Sequence, residues 1–234
     1  MNEISMINEF SKEYLDLLKL NFNKSKKIKI KNFFKDAFAN SLYKNVLLEK
    51  NWTLATGINE VKYEKSILPK FEKINNHQIN HVNKSFGDDN FTYIFYRGMN
   101  NHLNISYNEF VIRKIFNSEY FIHFLNEITQ LHVTKLNTLF LSKYNPGSFL
   151  SPHSDRGNGK LAFVMNISNN WKPQYGGILH FLNEERTDII ESFVPEFNSF
   201  ILFHVPENTG IPHFVSHVSP NVKYSRYSIT GWYD

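Results

Sequence analysis

Apolar positions in the first half of the chain recur at the three- and four-residue spacing of amphipathic helices. This spacing predicts helices over residues 7–18 and 109–130, and a further one over 36–47 that Asp36 caps. A short strand is predicted where isoleucines alternate with lysines at 28–30. The polar stretch 75–90 contains a Gly-Asp-Asp turn signal, and we expect it to be an exposed loop.

The last hundred residues change to short runs rich in β-branched and aromatic side chains, separated by turns of glycine, proline and asparagine. The predicted strands cover Thr138–Tyr144, Leu161–Ile167, Ile178–Leu182, Asp188–Glu191, Ser199–Val205, Phe214–Val218 and Arg226–Tyr233. Short strands at regular spacing are typical of β-sandwiches and barrels. We therefore expect an α+β fold in which helices pack on one sheet of a jelly roll. The chain is expected to form a single domain, 1–234, with supporting helices and strands in 1–135 and the jelly roll in 136–234.

Composition narrows the chemistry. The 234 residues include 22 Phe, 12 Tyr and 3 Trp, enough apolar surface to exclude disorder of the whole chain. There is no cysteine, which excludes disulfides, thiolate metal sites and a cysteine nucleophile. Any metal must therefore be held by histidine and carboxylate. The net charge of +4 gives no sign of a nucleic-acid partner, and the lysines of 24–31 are best explained as a solvated strand edge or linker.

No secretory signal and no stretch of apolar residues long enough to cross a membrane is visible, so a cytoplasmic protein is expected. The strand predicted at Thr92–Arg97 and the N-terminal third are expected to shape a substrate cleft.

One group of residues has the side chains of a metal site. His153 and Asp155 are two residues apart in a strand-like segment, so both side chains face one side and can reach one ion. His217, 62 residues after Asp155, supplies a candidate third ligand. Two histidines and one carboxylate form the facial triad of non-haem Fe(II) oxygenases. Arg226 follows nine residues later, and a guanidinium binds a carboxylate through two parallel hydrogen bonds.

These residues, in this order and spacing, resemble the Fe(II)- and 2-oxoglutarate-dependent dioxygenases. The resemblance runs from Leu139 to Asp234 and is closest to the prolyl 4-hydroxylase branch, which includes the hypoxia-factor prolyl hydroxylases and their bacterial relatives. Supporting phrases are Tyr-Asn-Pro-Gly at 144–147, Gly-Gly-Ile-Leu at 176–179 and Arg-Tyr-Ser-Ile-Thr-Gly-Trp-Tyr at 226–233. The implied fold is the double-stranded β-helix form of the jelly roll.

The resemblance implies that His153, Asp155 and His217 are the iron ligands and catalytic residues. His213 is a competing histidine, but it lies 13 residues before Arg226, and the family spacing favours His217. Arg226 is implied to bind the distal carboxylate of 2-oxoglutarate.

Further residues are implied to bind the cosubstrate or line its pocket: Tyr144, Asn166, Leu179, Ser228 and Thr230. Asn166 stands where the hypoxia-type enzymes carry a second tyrosine. Arg156 and Trp232 are implied to lie near the substrate.

The implied activity uses Fe(II), 2-oxoglutarate and O2, supported by ascorbate, and releases succinate and CO2 while an unactivated C–H bond is hydroxylated. The expected substrate is a prolyl or other residue of a protein or peptide. A free amino acid or another small metabolite is the first alternative. A second alternative is an iron- and 2-oxoglutarate-binding sensor without turnover. A cupin-type isomerase or hydrolase would leave Arg226 unexplained.

Overall fold

The computed structural model describes residues 6–50, 52–59, 76–88, 90–98, 107–208 and 210–234. The helices of these ranges are α1 (Lys12–Ser25), α2 (Asp36–Leu48), α3 (Asn76–Gly87), α4 (Tyr107–Phe116) and α5 (Glu119–Thr129). The strands are β1 (Lys27–Ile30), β2 (Thr53–Asn59), β3 (Phe91–Gly98), β4 (Leu136–Tyr144), β5 (Phe149–His153), β6 (Leu161–Asn166), β7 (Leu179–Leu182), β8 (Ile189–Phe193), β9 (Ser199–His204), β10 (His213–Val215) and β11 (Arg226–Tyr233).

Serine side chains cap α1 and α5, whereas the predicted cap Asp36 is the first residue of α2, and Lys35 before it makes no side-chain capping hydrogen bond. Helix α1 begins after Ser11, whose hydroxyl accepts a hydrogen bond from the Tyr14 amide at 3.3 Å. Ile7, predicted to lie in this helix, instead forms an isolated bridge with Phe34. The predicted helix over 109–130 is two helices, because Ser118 ends one and caps α5.

The loop predicted over residues 75–90 is wrong, since most of this stretch forms α3. Ile79, Val82 and Phe86 are spaced three and four apart in the sequence, which is a helical period diluted by asparagine and histidine. Val82 and Ser85 are buried on the side of α3 that faces the sheet. The asparagine-rich composition concealed a short amphipathic helix.

All strands of the described residues belong to one antiparallel sheet that curls into a nearly closed jelly-roll barrel. Its order is β1-β9-β6-β11-β4-β3-β5-β10-β7-β8, with β2 paired to β3. Strand β3 joins the two layers because one of its edges pairs with β2, while its other edge pairs with β5 near Tyr93 and with β4 near Arg97. The predicted α+β jelly roll is confirmed. Strands β2 and β5 were not predicted as separate elements.

The barrel has two buried faces. On the outer face of the larger layer, α1, α4 and α5 cover residues such as Phe163, Phe200 and Tyr233. On the inner face, a second cluster that includes Tyr144 and Phe181 surrounds a cavity. Successive side chains of a strand point to opposite faces, so each strand of the larger layer contributes to both clusters.

The lysines near β1 have specific partners. Lys27 is 8% exposed and its Nζ lies 3.1 Å from Glu191 on β8, so the two edge strands of the sheet are joined by an ion pair. Lys29 and Lys31 both pair with Glu196. The predicted strand is confirmed, and Lys27 is buried rather than solvated. None of the described helices has the length and apolarity needed to cross a membrane.

Candidate metal centre

Three ligand groups meet at one end of the inner face. His153 ends β5, Asp155 follows two residues later, and His213 begins β10. The antiparallel register places His213 directly opposite His153, and their ring centroids are 4.3 Å apart. Each Nε2 lies 3.4 Å from a different oxygen of Asp155. One ligand atom from each of the three residues falls within 4.8 Å of the others, which suits a single metal ion.

Both imidazoles are oriented by their own backbone. The Nδ1 of His153 lies 3.0 Å from the Ser151 carbonyl, and that of His213 lies 2.8 Å from the Ile211 carbonyl. A carbonyl only accepts hydrogen bonds, so each Nδ1 carries the proton and donates. Each Nε2 faces Asp155, so it donates to the carboxylate when the ring is protonated and offers a lone pair to a metal ion when the ring is neutral. Such contacts fix the tautomer and ring orientation of metal-binding histidines.

The charges of this cluster favour an ionised carboxylate. Burial opposes ionisation of Asp155, but His213 and hydrogen bonds from both histidines hold its pKa well below the ordinary value. Burial lowers the pKa of His213, yet the Asp155 charge outweighs burial and leaves that pKa raised. The pKa of His153 is lowered by burial and by the neighbouring His213. A buried anion with two imidazoles is a donor set that fits Fe(II).

The prediction of His217 as the third ligand is wrong in this geometry. Strand β10 ends at Val215, and His217 lies beyond it with an exposed side chain. Its ring stacks on Phe149 at 4.2 Å and meets Phe86 edge-on at 5.1 Å, outside the cavity. His213 and Val215 share the inner face of β10, and a histidine opposite His153 has to sit at the start of that strand.

A cavity of about 110 Å³ extends from the metal cluster along the inner face of the barrel. Residues predicted for the cosubstrate or substrate line it: Tyr144, Leu179, Arg226, Thr230 and Trp232. Burial raises the pKa of Tyr144 to about 12 against the opposing charges of Arg226 and Arg97, so its hydroxyl stays protonated. Aromatic and aliphatic side chains make up most of the cavity lining, and the remaining lining residues are polar or charged.

Arg226 is 2% exposed and lies at the start of β11. Its guanidinium stands 5.0 Å from the ring centroid of Tyr144, and one amino group donates to Asn166 Oδ1 at 3.4 Å. Its Nε has no hydrogen-bond partner, nor has the buried hydroxyl of Ser228. In the described part of the chain no carboxylate side chain forms an ion pair with Arg226. A buried cation beside orphaned polar atoms fits a site for an absent anion.

The remaining predicted residues take different places. Asn166 and Ser228 pair across β6 and β11 and share the inner face with Arg226 and Thr230, but neither is among the residues that line the cavity. Arg156 donates to the Asn208 carbonyl at 3.0 Å and does not line the cavity. Arg97 on β3 also lines the cavity; it ends the strand predicted at Thr92–Arg97 to shape a substrate cleft, but no separate role was predicted for it. The alternation of Tyr93, Phe95 and Arg97 along a predicted strand was the signal that could have found it.

Residues 139–234 match the model of the 2OG-Fe(II) oxygenase superfamily. This segment has the sequence pattern of a 2OG-Fe(II) oxygenase domain. The match confirms the predicted class, an Fe(II)- and 2-oxoglutarate-dependent dioxygenase, and the predicted use of Fe(II), 2-oxoglutarate and O2. No curated protein matches the chain by sequence.

Solved structures share the fold of the oxygenase at low identity. A prolyl hydroxylase from Trichoplax adhaerens, in complex with a peptide fragment of the hypoxia inducible factor oxygen degradation domain, superposes with a TM-score of 0.63 at 14% identity, covering 94% of this chain and 89% of its own. A prolyl-4-hydroxylase from Pseudomonas putida gives 0.57 at 12%, covering 94% and 97%. The alpha-ketoglutarate-dependent epimerase SnoN of nogalamycin biosynthesis gives 0.57 at 8%, covering 94% and 82%. The prolyl hydroxylase fold predicted from sequence is therefore present.

Proposed function

We propose that the protein is a hydroxylase that acts on a prolyl or other residue of a protein or peptide and releases succinate and CO2. The observation that carries this proposal is the convergence of His153, Asp155 and His213 on the cavity that also contains Arg226. The fold neighbours support a peptide substrate, because one of them is a prolyl hydroxylase in complex with a peptide fragment.

In this proposal, the Nε2 atoms of His153 and His213 and the carboxylate of Asp155 hold Fe(II). When bound together, Fe(II) and 2-oxoglutarate supply the activation of O2 that hydroxylates a C–H bond. The carbonyls of Ser151 and Ile211 keep both rings in the tautomer that the metal needs. Asp155 contributes one negative charge that offsets half of the charge of the ion.

Arg226 binds the distal carboxylate of 2-oxoglutarate through its guanidinium edge, and the Ser228 hydroxyl donates to the same group. Asn166 fixes the guanidinium by accepting a hydrogen bond from its other side. The protonated hydroxyl of Tyr144 is a further donor in this region. Aromatic residues such as Phe140 and Trp232 exclude water, which strengthens each of these polar contacts.

A small-molecule substrate is the second candidate, supported by the modest cavity of about 110 Å³. The same fold serves an epimerase of nogalamycin biosynthesis, so the architecture is compatible with substrates other than peptides.

The test combines turnover with an open search for product. Purified protein with Fe(II), ascorbate and 2-oxoglutarate is incubated with a cell lysate, succinate is quantified by NMR, and proteins and metabolites are searched by mass spectrometry for a gain of one oxygen. We expect lysate-stimulated succinate and a modified prolyl or other residue. Asp155→Ala should abolish turnover, and Arg226→Ala should raise the 2-oxoglutarate requirement while metal binding persists. Metal-loaded protein that binds 2-oxoglutarate but releases no succinate with any lysate would instead indicate a sensor.

A further inference from the structure

Ser151 lies on β5, two residues before His153 of the metal cluster, and its side chain reaches the neighbouring strand β3. The residue is 3% exposed. Its hydroxyl accepts a hydrogen bond from the Thr92 amide at 2.8 Å and donates to the Asn90 carbonyl at 3.4 Å. A serine hydroxyl has one proton, so these two contacts use its single donor. Ser151 therefore ties the start of β3 to the strand that carries a metal-site histidine.

The hydroxyl continues the joint between β3 and β5 where the regular pairing of the strands stops. The last residue pair that joins the two strands is Tyr93 with Leu150. Beyond Leu150 the register of β5 is irregular, and Pro152 has no amide to donate. Thr92, the preceding residue of β3, is fully buried, and its amide finds its partner in the Ser151 hydroxyl. Because a buried amide without a partner is costly, this contact fixes the start of β3.

The start of β3 carries Phe91. This residue lies between Asn90 and Thr92, the two residues that the Ser151 hydroxyl contacts. The ring centroid of Phe91 is 5.1 Å from that of His153, and both side chains line the cavity. Hydrogen bonds on either side of Phe91 thus hold its ring against the metal-site imidazole.

The backbone of the same serine contacts the same imidazole. The Ser151 carbonyl accepts a hydrogen bond from Nδ1 of His153 at 3.0 Å. The ring is therefore held at Nδ1 by the carbonyl and on its side by Phe91. These two contacts direct Nε2 at Asp155, which lies 3.4 Å away.

His153 depends on this support more than His213 does. The side chain of His213 is 5% exposed, and the rings of Phe181 and Phe203 pack around it at 5.6 and 4.9 Å. The side chain of His153 is 14% exposed. In the described part of the chain, its ring contacts are those with Phe91 and His213. Loss of the Phe91 contact would leave the His153 ring free to turn towards solvent.

We propose that Ser151 is a positioning residue of the metal centre, whose hydroxyl holds Phe91 against His153 while its carbonyl holds Nδ1 of that histidine. The inference rests on the proposed function, because it requires that His153 binds the metal. Outer contacts of this kind set the orientation of a metal-binding imidazole. Displacement of the ring would loosen the ion although every ligand is still present.

The test measures how long the protein retains Co(II), whose visible absorption depends on its ligands. Protein loaded with Co(II) is mixed with excess EDTA, and the decay of the absorption gives the rate of dissociation. Ser151→Ala should lose Co(II) about 10-fold faster than wild type, at the lower end of the roughly 10–100-fold effect of outer partners, and its absorption spectrum should differ. Ser151→Thr keeps the hydroxyl and should retain the ion as wild type does.

Ser148→Ala is the matched control. Ser148 is also 3% exposed, and its hydroxyl also accepts a hydrogen bond from a backbone amide, that of Asn145 at 3.0 Å. It lies in the turn before β5 rather than beside Phe91. Both alanine variants should lower the unfolding midpoint, and only Ser151→Ala should release the ion faster.

A second pair of variants tests the route through Phe91. Phe91→Ala should itself speed the loss of Co(II), and Ser151→Ala should add little to it, because the hydroxyl acts by holding that ring. Phe91 is partly exposed, so this variant keeps the inference testable if Ser151→Ala does not fold.

Four results would overturn the inference: a Ser151→Ala variant that retains Co(II) like wild type, a Ser151→Thr or Ser148→Ala variant that loses it as fast as Ser151→Ala, a Phe91→Ala variant that retains it like wild type, or effects of Ser151→Ala and Phe91→Ala that multiply in full. A wild type that binds Co(II) no better than Asp155→Ala overturns the proposed function as well.

Discussion

His213 and His217 lie four residues apart, but they serve different surfaces. His213 is 4% exposed and its Nε2 lies 3.4 Å from Asp155, whereas the ring of His217 packs on Phe149 outside the cavity. The difference follows from where β10 ends, because only residues within the strand are held in register with β5.

Removal of the His213 side chain should therefore weaken Fe(II) binding, whereas removal of the His217 side chain should not. His213→Ala is expected to weaken Fe(II) binding by more than the roughly 10–100-fold that loss of an outer hydrogen-bond partner costs. His217→Ala should leave Fe(II) affinity within about 2-fold of wild type, since its ring does not reach the metal cluster. Titration calorimetry under anaerobic conditions measures both, and a large loss in His217→Ala alone would contradict the assignment.

The metal pair His153 and Asp155 could be predicted because alternation along a strand is a local property. The third ligand could not be predicted in the same way. Its identity depends on the length of the irregular chain between β10 and β11, which a fixed spacing from Arg226 does not capture. Here that connection spans Ser216 to Ser225, so a spacing of 13 residues, not nine, separates His213 of the candidate metal centre from Arg226.

Removal of the Ser228 hydroxyl tests the proposed binding site of 2-oxoglutarate. Its Oγ is buried without a hydrogen-bond partner, and we expect it to donate to the carboxylate that Arg226 binds. A hydrogen bond to a charged group contributes about 1.5–3 kcal/mol, so Ser228→Ala should raise the 2-oxoglutarate Kd about 10–100-fold. Fe(II) affinity should not change. Ser192→Ala, on β8 away from the cavity, is the control, and an unchanged Kd in Ser228→Ala would remove this residue from the site.

At the scale of elements, the boundary between α4 and α5 lies at Ser118, whose hydroxyl caps the second helix. Ser118 accepts a hydrogen bond from the Phe121 amide at 3.2 Å and so caps the helix that buries Phe121, Leu125 and Ile128. Ser118→Ala should lower the free energy of unfolding by about 1 kcal/mol. Urea denaturation measures the change.

Asn117→Ala, at the exposed neighbouring position, is the matched control and should stay within about 0.5 kcal/mol of wild type. Equal losses in the two variants would show that the turn, rather than the cap, stabilises this junction.

Helices and strands with many apolar residues could be predicted from the sequence, whereas elements with few apolar residues could not. Strand β6 is buried throughout and β9 is buried up to Phe203, and each contains a continuous apolar run that is recognisable in the sequence. Helix α3 was missed because its few apolar residues lie among asparagines and histidines. Strand β5 was obscured by Pro152, a residue that cannot donate a backbone hydrogen bond.

At the scale of the whole molecule, ligand binding and folding are linked. Fe(II) and 2-oxoglutarate bind groups that only the folded barrel brings together, so they should stabilise the native state. At a concentration of 100 times the Kd, binding contributes about 2.7 kcal/mol, which corresponds to a rise in Tm of about 5–10 °C for a domain of this size. Scanning calorimetry before and after chelation with EDTA measures this rise.

Asp155→Ala is the control for this linkage. It should unfold at the same temperature with and without Fe(II), because it lacks the carboxylate that joins the two histidines. A Tm rise in this variant equal to that of wild type would place the ion elsewhere.

The jelly-roll architecture could be predicted from the number and spacing of short strands. The order of strands could not, because pairings such as β1 with β9 join residues far apart in the chain. The ion pair between Lys27 and Glu191, which joins the two edges of the sheet, depends on that order and was equally invisible.

Strand β11 carries two sets of side chains in strict alternation. Arg226, Ser228 and Thr230 point into the barrel, while Ile229 and Tyr233 pack under the helices. Deletion of one residue within the strand would exchange the two sets, turning the guanidinium into the hydrophobic core and an isoleucine into the cavity. The register of β11 is therefore as constrained as its composition. We expect insertions to be tolerated only in the connection that precedes the strand.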